Sequence, residues 1–303
     1  MERIISYRIP EAYEGHKISE YLHNRGYSNP NLCTLRHTPG AILLNGQEVF
    51  MNTRLKEGDV IRVHITETES SEKIPPVDLP LDIVYEDEDL LVVNKPADMP
   101  IHPSMKNYYN TLGNALAYYF QKQGKPFIYR CVNRLDRDTT GLTIIAKHMI
   151  SCSILYDAVK ERRIDRTYTA IVEGEDLPDE GTIDKPLGRA QESVVERVVD
   201  YEHGDRAVTH YKVLKRGNGL SLLELHLETG RTHQIRVHML SEGHPLIGDW
   251  LYNPNDRHMK RQALHAGTIS FPHPMTGERM TFTVPMPQDM QEVVSQMQTE
   301  ANN

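Results

Sequence analysis

The fold of this chain is organised around one stretch, Arg130-Cys131-Val132-Asn133-Arg134-Leu135-Asp136-Arg137-Asp138-Thr139-Thr140-Gly141. It places three arginines and two aspartates in a turn, and an apolar run, Leu142-Thr143-Ile144-Ile145-Ala146, follows directly. A run of this kind is typical of a buried strand. We therefore predict a strand whose edge carries a carboxylate beside arginines, which is a common setting for chemistry. The alternative is a surface turn whose charges pair with each other.

Length and composition indicate a globular protein with a proper core. The 303 residues suit one large domain and one small one, with 39% apolar and 25% charged residues. No apolar run approaches the roughly 18 residues that span a bilayer, and the first residues lack a signal-peptide layout. The three cysteines form no CxxC pair. We therefore expect a cytoplasmic protein outside membranes, in which each cysteine is a small buried side chain.

The formal charge of −8 is local rather than general. Residues 67–89 hold nine acidic residues against one lysine, Lys73, and the rest of the chain is balanced. Basic patches elsewhere therefore remain compatible with a nucleic-acid partner.

The chain divides into three segments. The pattern of residues 1–65 predicts a small unit, with a hairpin at Asn45-Gly46 and a last strand at Val60–Ile65. Residues 66–80 are polar and rich in proline, as in a linker. Residues 81–303 mix strands and helices without strict alternation, which predicts an α+β domain around a mainly antiparallel sheet. The predicted elements there include a helix at 149–163, strands at 142–146, 166–173, 193–200, 207–214 and 221–228, and a helix at 231–242.

A second charged cluster, Thr229 to His238, opens the predicted helix at 231–242. Backbone N–H groups and arginines at a helix start favour an anion. Thr232 and Arg236 stand one helical turn apart and are expected on one face. The alternative is a helix start with solvated arginines.

The fifteen histidines show no metal-ligand spacing. There is no HExxH, and His233 and His238 would lie about 140° apart on a helix. Glycine-rich phosphate loops and a GxSxG nucleophile are also absent from the sequence. We therefore expect an activity without metal or cofactor, carried by a carboxylate, arginines and a tyrosine.

Six blocks, at 82–104, 133–147, 166–174, 181–189, 223–249 and 264–278, together resemble the RluA-type RNA pseudouridine synthases. The N-terminal unit resembles the second half of a small α-L RNA-binding domain, although its helical segment carries one arginine, Arg36. The resemblance implies a pseudouridine synthase fold and a cofactor-free, metal-free isomerisation of uridine in structured RNA, either rRNA or tRNA. It leaves a rival, a catalytically quiet RNA-binding or assembly protein, which the retained Asp136 disfavours. We expect a monomer.

The resemblance also implies residue roles. Asp136 matches the essential catalyst, Tyr168 the tyrosine that stacks on the base, and Arg236 the arginine that pairs with the catalyst. Arg134 matches the side chain that fills the space left by a flipped nucleotide. Three positions depart from the family, which usually has histidine at Asn133, serine at Thr140 and glycine at Asp98. Further RNA contacts are expected at Arg137, Arg231, Thr232, His233 and Ile235.

Overall fold

The N-terminal region forms a four-stranded antiparallel sheet with two helices. The computed structural model describes residues 1–105, 107–255 and 257–298. The sheet order is β1-β4-β2-β3, and the predicted hairpin joins β2 to β3. The elements are β1 (Glu2–Arg8), α1 (Ile18–Asn24), α2 (Asn29–His37), β2 (Ile42–Leu44), β3 (Gln47–Glu48) and β4 (Val60–Thr66).

The rest of the chain is built on a nine-stranded sheet of order β5-β6-β7-β14-β8-β13-β12-β9, with β15 paired to β14. Of its strand pairs within the described ranges, β7 with β14 is parallel and the others are antiparallel. The predicted α+β class with a mainly antiparallel sheet is therefore confirmed. Its strands are β5 (Ile83–Glu86), β6 (Leu90–Lys95), β7 (Thr140–Ala146), β8 (Asp165–Glu173), β9 (Glu180–Asp184), β12 (Val208–Gly217), β13 (Leu220–Leu227), β14 (Leu264–Pro272) and β15 (Arg279–Thr283); a separate hairpin is β10 (Leu187–Arg189) and β11 (Arg197–Val199), and the helices are α3 (Leu112–Lys122), α4 (Met149–Lys160), α5 (Gln234–Ser241) and α6 (Gln288–Gln296).

Strand β7 is buried along its whole length and follows the charged stretch directly, as predicted. At its start Gly141 has φ 109°, and a Cβ there would lie 2.2 Å from the carbonyl oxygen of Ala266 on β14. A glycine is required because no larger residue fits this approach. The close approach brings the turn that carries Asp136 beside β14 and its neighbour β8.

The helices cover the sheet with apolar faces. Leu112 and Leu116 of α3 pack on Leu91 and Val93 of β6. Other helix–strand contacts follow the same logic of apolar burial. The faces that meet are Leu155 and Ala158 of α4 with Leu142 and Ile144 of β7, and Ile235 and Met239 of α5 with Leu223 and Leu225 of β13.

The N-terminal region is docked on the rest of the protein through α4. Ile150 of α4 is fully buried within the core of the N-terminal region, and Ile154 packs against it. Arg3 on β1 pairs with Asp89 at 2.8 Å, and Glu67 pairs with Arg130 at 2.8 Å. These contacts tie the small region to the large one by both apolar and ionic groups.

Residues 67–80 run along the surface of the large region. Ser71 accepts a hydrogen bond from the Tyr129 N–H at 2.9 Å, and Asn114 donates to the Pro75 carbonyl at 2.7 Å. Ile74 packs against the core beneath. Whether the predicted boundaries at 65 and 80 separate independently folding units stays a prediction.

Asp89 lies where the two regions meet. His148 and Arg3 contact its carboxylate at 2.9 and 2.8 Å. Burial alone would raise the pKa of Asp89, but these hydrogen bonds outweigh it and lower that pKa to about 2. A third group, His273, lies 3.8 Å away and also contacts Asp87. The side-chain N and O atoms of Asp87, Asp89 and His273 lie within 4.8 Å of one another, a spacing that suits metal ligands. Within the described ranges these atoms instead contact one another and Arg3, His148 and Tyr85.

We expect Asp89→Asn to lower the free energy of unfolding by about 2 kcal/mol or more at neutral pH, because a paired carboxylate is lost. The folded pKa is depressed, so this stabilisation is present above the usual pKa of about 3.8 and is lost as pH falls towards 2. Urea unfolding of both proteins at a series of pH values measures the difference. Glu88→Gln, whose side chain is 74% exposed, is the matched control with little effect. A difference that stays constant down to pH 2 contradicts the assignment.

Some predicted details are wrong. The strand expected at 193–200 is reduced to Arg197–Val199. The helix expected at 231–242 begins at Gln234, because His233 takes a left-handed conformation with φ 57°. Cys33 is exposed rather than buried, since α2 turns Asn31 and Leu35 to the core instead. Across residues 1–105, 107–255 and 257–298, no helix has the length and apolarity to cross a bilayer.

Candidate active site

Asp136 lies in a tight turn before β7, closed by a hydrogen bond from the Thr139 N–H to the Asp136 carbonyl at 3.2 Å. Buried Asn133 anchors this turn to the strand. Its side-chain oxygen accepts from the Ile144 N–H at 2.8 Å, and its Nδ2 donates to the Leu142 carbonyl at 3.2 Å. Asn133 therefore uses both ends of its amide to hold the loop. The family that the sequence resembles usually has histidine at this position.

The carboxylate of Asp136 is 25% exposed and pairs with Arg236, whose Nη1 lies 3.0 Å from Oδ2. The structure thus brings together two of the predicted residues that stand 100 positions apart. Arg236 is 3% exposed, and its Nε and Nη2 form a two-pronged ion pair with Asp249 at 2.6 and 2.7 Å. Burial would lower the pKa of Arg236, but Asp249 and Asp136 outweigh it and hold that pKa above its usual value. Arg236 is therefore a fixed cation behind Asp136.

Asp249 is a site residue that was not predicted from the sequence. Its side chain is fully buried, and its Oδ1 also accepts hydrogen bonds from the N–H groups of Leu251 and Tyr252 at 3.1 and 3.2 Å. The available signal was a lone acid that ends the apolar segment before it, directly after Gly248. An acid in such a place is expected to have a partner, because an unpaired buried charge is costly.

His233 completes the surroundings of Asp136. Its Nε2 lies 3.9 Å from the Asp136 carboxylate, and its Nδ1 lies 2.9 Å from the Tyr252 hydroxyl. The Tyr252 oxygen also accepts the Arg197 N–H at 2.8 Å, which fixes the hydroxyl beside the His233 ring. Burial lowers the pKa of His233 and favours the neutral ring. His233 therefore places a neutral polar ring beside the Asp136 carboxylate.

Tyr168 lies on β8 and is buried beside Asp136. It shares an apolar cluster with Leu135, Ile235 and Leu264. These residues, with Asp136 and Arg236, line a small pocket of about 60 Å³. The predicted Tyr168 and Ile235 are thus both brought to the carboxylate, one from a strand and one from α5.

A wider groove of about 770 Å³ opens in front of this pocket. Six basic side chains line it against two carboxylates, which contrasts with the net negative charge of the chain. A local excess of positive charge is the electrostatic signature of a nucleic-acid surface. The basic residues are Arg134, Arg137, Lys160, Arg162, Arg166 and Arg231, and the acids are Asp136 and Glu228.

The predicted RNA contacts differ in how free they are. Arg134 is exposed in the groove. Arg137 pairs with Asp138 at 3.1 Å, and Arg231 pairs with Asp205 at 3.3 Å, though both remain partly exposed. Thr232 lines the groove but lies before α5, so it does not share a helical face with Arg236 as expected.

Two further arginines have structural partners rather than a free side chain. Arg130 pairs with Glu67, and Arg261 is buried with Asp289 at 2.7 Å.

Asp98 stands where the family that the sequence resembles usually has glycine. Its φ is 53°, a left-handed conformation that aspartate tolerates better than most residues. Its N–H donates to the Asp138 carboxylate at 3.2 Å.

Lys95 supports the turn that carries Asp136 from beneath. It is fully buried, and its Nζ donates to the carbonyls of Pro96 and Arg137 at 2.7 and 2.8 Å. Burial lowers the pKa of Lys95 to about 7, although the charges of Asp138 and Asp136 oppose that shift. Even the neutral amine has two N–H groups, which match the two carbonyls.

We expect the stability of the wild-type protein, relative to Lys95→Met, to increase by a few kcal/mol as the pH rises from about 7 to 10. In that range the unfolded lysine keeps a proton that the folded one has lost, since the usual pKa is 10.5. Denaturant unfolding of both proteins at several pH values measures this difference. Lys122→Met, at an exposed lysine, is the control without pH dependence. A difference that falls with pH contradicts the prediction.

Comparison with known proteins identifies the family. A model of RNA pseudouridylate synthases matches residues 89–241. The chain is 41% identical over 277 residues to the uncharacterized RNA pseudouridine synthase YjbO of Bacillus subtilis, covering 91% of this chain and 98% of that protein. It is 35% identical to ribosomal large subunit pseudouridine synthase D of Escherichia coli, covering 99% and 91%.

A solved structure agrees with these matches. Human RNA pseudouridylate synthase domain containing 1 superposes with a TM-score of 0.59 and 30% identity, over 70% of this chain and 85% of that one. The matched segments include the turn of Asp136 and the helix of Arg236. The chain therefore belongs to the RluA-type RNA pseudouridine synthases, isomerases that convert uridine to pseudouridine in RNA.

Proposed function

We propose that Asp136 is the catalyst of this isomerisation, with Arg236 and Tyr168 as its partners. The observation that carries the proposal is the 3.0 Å ion pair between Asp136 and buried Arg236 at the wall of a pocket that opens into a basic groove. A paired arginine favours the ionised carboxylate that the chemistry needs. The neutral ring of His233, whose Nε2 lies 3.9 Å from the same carboxylate, adds a second polar group beside it.

The reaction breaks the bond from ribose C1′ to uracil N1 and forms a bond from C1′ to uracil C5. The proton on C5 leaves, and N1 gains one, so the product is an isomer of the substrate. Asp136 assists by one of two routes, attack on the ribose or removal of a ribose proton. Both routes require an anionic carboxylate next to the sugar.

Tyr168 has the position for two tasks. Its ring lines the pocket beside Asp136, so uracil can stack on it. Its hydroxyl is our candidate for relaying the C5 proton after the base has turned: the oxygen takes that proton while its own O–H proton passes to solvent. Ile235 and Leu264 complete the apolar lining that excludes water.

The target uridine must leave its stack to reach this pocket, at a cost of a few kcal/mol. Arg134 is exposed beside the pocket mouth, and we propose that it fills the vacated space by stacking and phosphate contact. Arg137, Arg231, Thr232 and His233 then contact the RNA strand from the groove and the pocket.

We propose ribosomal RNA as the substrate, because one relative is named as a ribosomal large subunit pseudouridine synthase. Transfer RNA is the alternative. We also propose that the enzyme acts in the cytoplasm as a monomer without metal or cofactor, since the carboxylate, arginine and tyrosine supply the groups that the reaction needs. Elemental analysis of the purified active enzyme tests the metal, and sedimentation tests the monomer.

Tritium release tests the activity. Uridine labelled at C5 is incorporated into RNA, and the purified protein is incubated with separate ribosomal and transfer RNA fractions. We expect release from the ribosomal fraction, because the C5 hydrogen is lost in the isomerisation. Release from the transfer RNA fraction alone would move the substrate to tRNA. A lack of release from both would overturn the proposed function.

A further inference from the structure

A half-exposed aromatic ring, Tyr156, lies in the basic groove apart from the predicted site residues. It belongs to α4, where its neighbour Leu155 is turned to the core. Tyr156 is 49% exposed, so an aromatic side chain is open to solvent inside this groove. Its exposed surface faces the space where RNA is expected.

The orientation of the Tyr156 ring is fixed. Its hydroxyl donates to the Cys131 carbonyl at 3.1 Å, just before the turn that carries Asp136. The ring is therefore held from both ends, by the helix backbone and by the catalytic loop. A ring that is ordered before binding loses little conformational freedom when a base stacks on it.

Positive charge surrounds this ring. Lys160 stands four residues later on α4 and lines the same groove, so both side chains share one helical face. Burial raises the pKa of Tyr156, and the nearby charge of Arg134 opposes that shift. Aromatic rings interleaved with cations are the usual platform for single-stranded nucleic acid, because every base has a π-face and every nucleotide a phosphate.

We propose that Tyr156 is a stacking platform for a nucleotide that neighbours the target uridine. The inference rests on the proposed function, because Arg134 is taken to occupy the place of the flipped base. The nucleotide beside that place lies next to Arg134 and thus next to Tyr156. Its base stacks on the ring while Lys160 contacts its phosphate, and the platform sets which neighbouring bases are accepted.

The test compares variants on a short stem–loop RNA that spans a site modified by the wild-type protein. We expect Tyr156→Ala to lower kcat/KM about tenfold or more. When it is added to the inactive variant Asp136→Asn, it is expected to weaken RNA binding to a similar degree. Tyr156→Phe and Tyr156→Trp keep a ring and retain most of both. Tyr118→Ala is the matched control, since Tyr118 is a partly exposed tyrosine on α3 with Lys122 near its ring, outside the groove.

Abasic substitution in the RNA locates the stacked nucleotide. Removal of one base beside the target uridine is expected to weaken binding by the wild-type ring but not by Tyr156→Ala, so the two changes are not additive. Fully additive losses, or equal effects of Tyr156→Ala and Tyr118→Ala in an active enzyme, overturn the platform and leave the proposed function intact. If the wild-type protein makes no pseudouridine, the proposed function fails. The binding of labelled ribosomal RNA is then compared between Tyr156→Ala and Tyr156→Phe. Equal binding by the two variants overturns the platform, and weaker binding by Tyr156→Ala supports it.

Discussion

Asp136→Asn is expected to reduce tritium release from C5-labelled RNA by about a thousandfold or more. Asparagine has the size and shape of aspartate, but it has no charge with which to attack ribose or accept a ribose proton. A group that acts on the reacting atoms is commonly worth this much in kcat. The loss is expected in kcat rather than in RNA affinity, because Asp136 is a carboxylate in a basic groove and contributes little attraction for phosphate.

The control for this prediction is the thermal stability of the variant. Arg236 keeps its two contacts with Asp249 when Asp136 is neutral, so the buried cation stays paired. The thermal midpoint of Asp136→Asn is therefore expected near that of the wild-type protein. Asp138→Asn, two residues later, changes the charge of the same turn without touching Arg236 and is expected to keep measurable activity. Equal release from Asp136→Asn and the wild-type protein excludes Asp136 as catalyst.

Asp249→Asn is expected to lower the free energy of unfolding by about 3–5 kcal/mol, the cost of breaking a buried ion pair on one side. Asp249 is fully buried and is the main partner of Arg236, with contacts at 2.6 and 2.7 Å. An amide at this place presents an N–H group to the guanidinium, which also donates. The backbone turn at Leu251 and Tyr252 loses its charged acceptor as well.

Activity is expected to fall together with stability in Asp249→Asn, because a displaced Arg236 no longer holds Asp136. Urea unfolding gives the stability change, and tritium release below the unfolding range gives the activity. The matched control is Asp205→Asn, which breaks the ion pair with Arg231 but is 71% exposed, so the expected change is below about 1 kcal/mol. A loss of similar size in both variants would show that burial is not the cause.

Local pattern was enough for the strongly periodic elements. The apolar run after the charged turn is a buried strand, and the amphipathic segment from Met149 is a helix. Both depend on which residues recur on one face, and that is written in the order of the chain. The turn with Asp136 was found for the same reason, since dense charge next to an apolar strand is visible in the sequence.

Element ends and buried polar partners were harder to predict. The helix of Arg236 begins three residues later than expected, because His233 adopts a left-handed conformation beside Tyr252. Propensity does not reveal a contact of this kind across the fold. Cys33 is exposed because α2 turns Asn31 and Leu35 inward. Which face of this helix is buried depends on the residues of other elements that pack against it.

The sequence by itself determined the fold class, the strand that follows the charged turn and, through resemblance, the choice of Asp136 and Arg236 as the proposed pair. Only the tertiary structure decided what fixes that pair. Asp249 behind Arg236, Asn133 beneath the turn and Ile150 in the core of the N-terminal region have partners that are distant in the chain or on another element. The physical reason is that a buried charge or amide is satisfied by whichever group the folded backbone brings within hydrogen-bond distance, and that pairing is a property of three-dimensional packing.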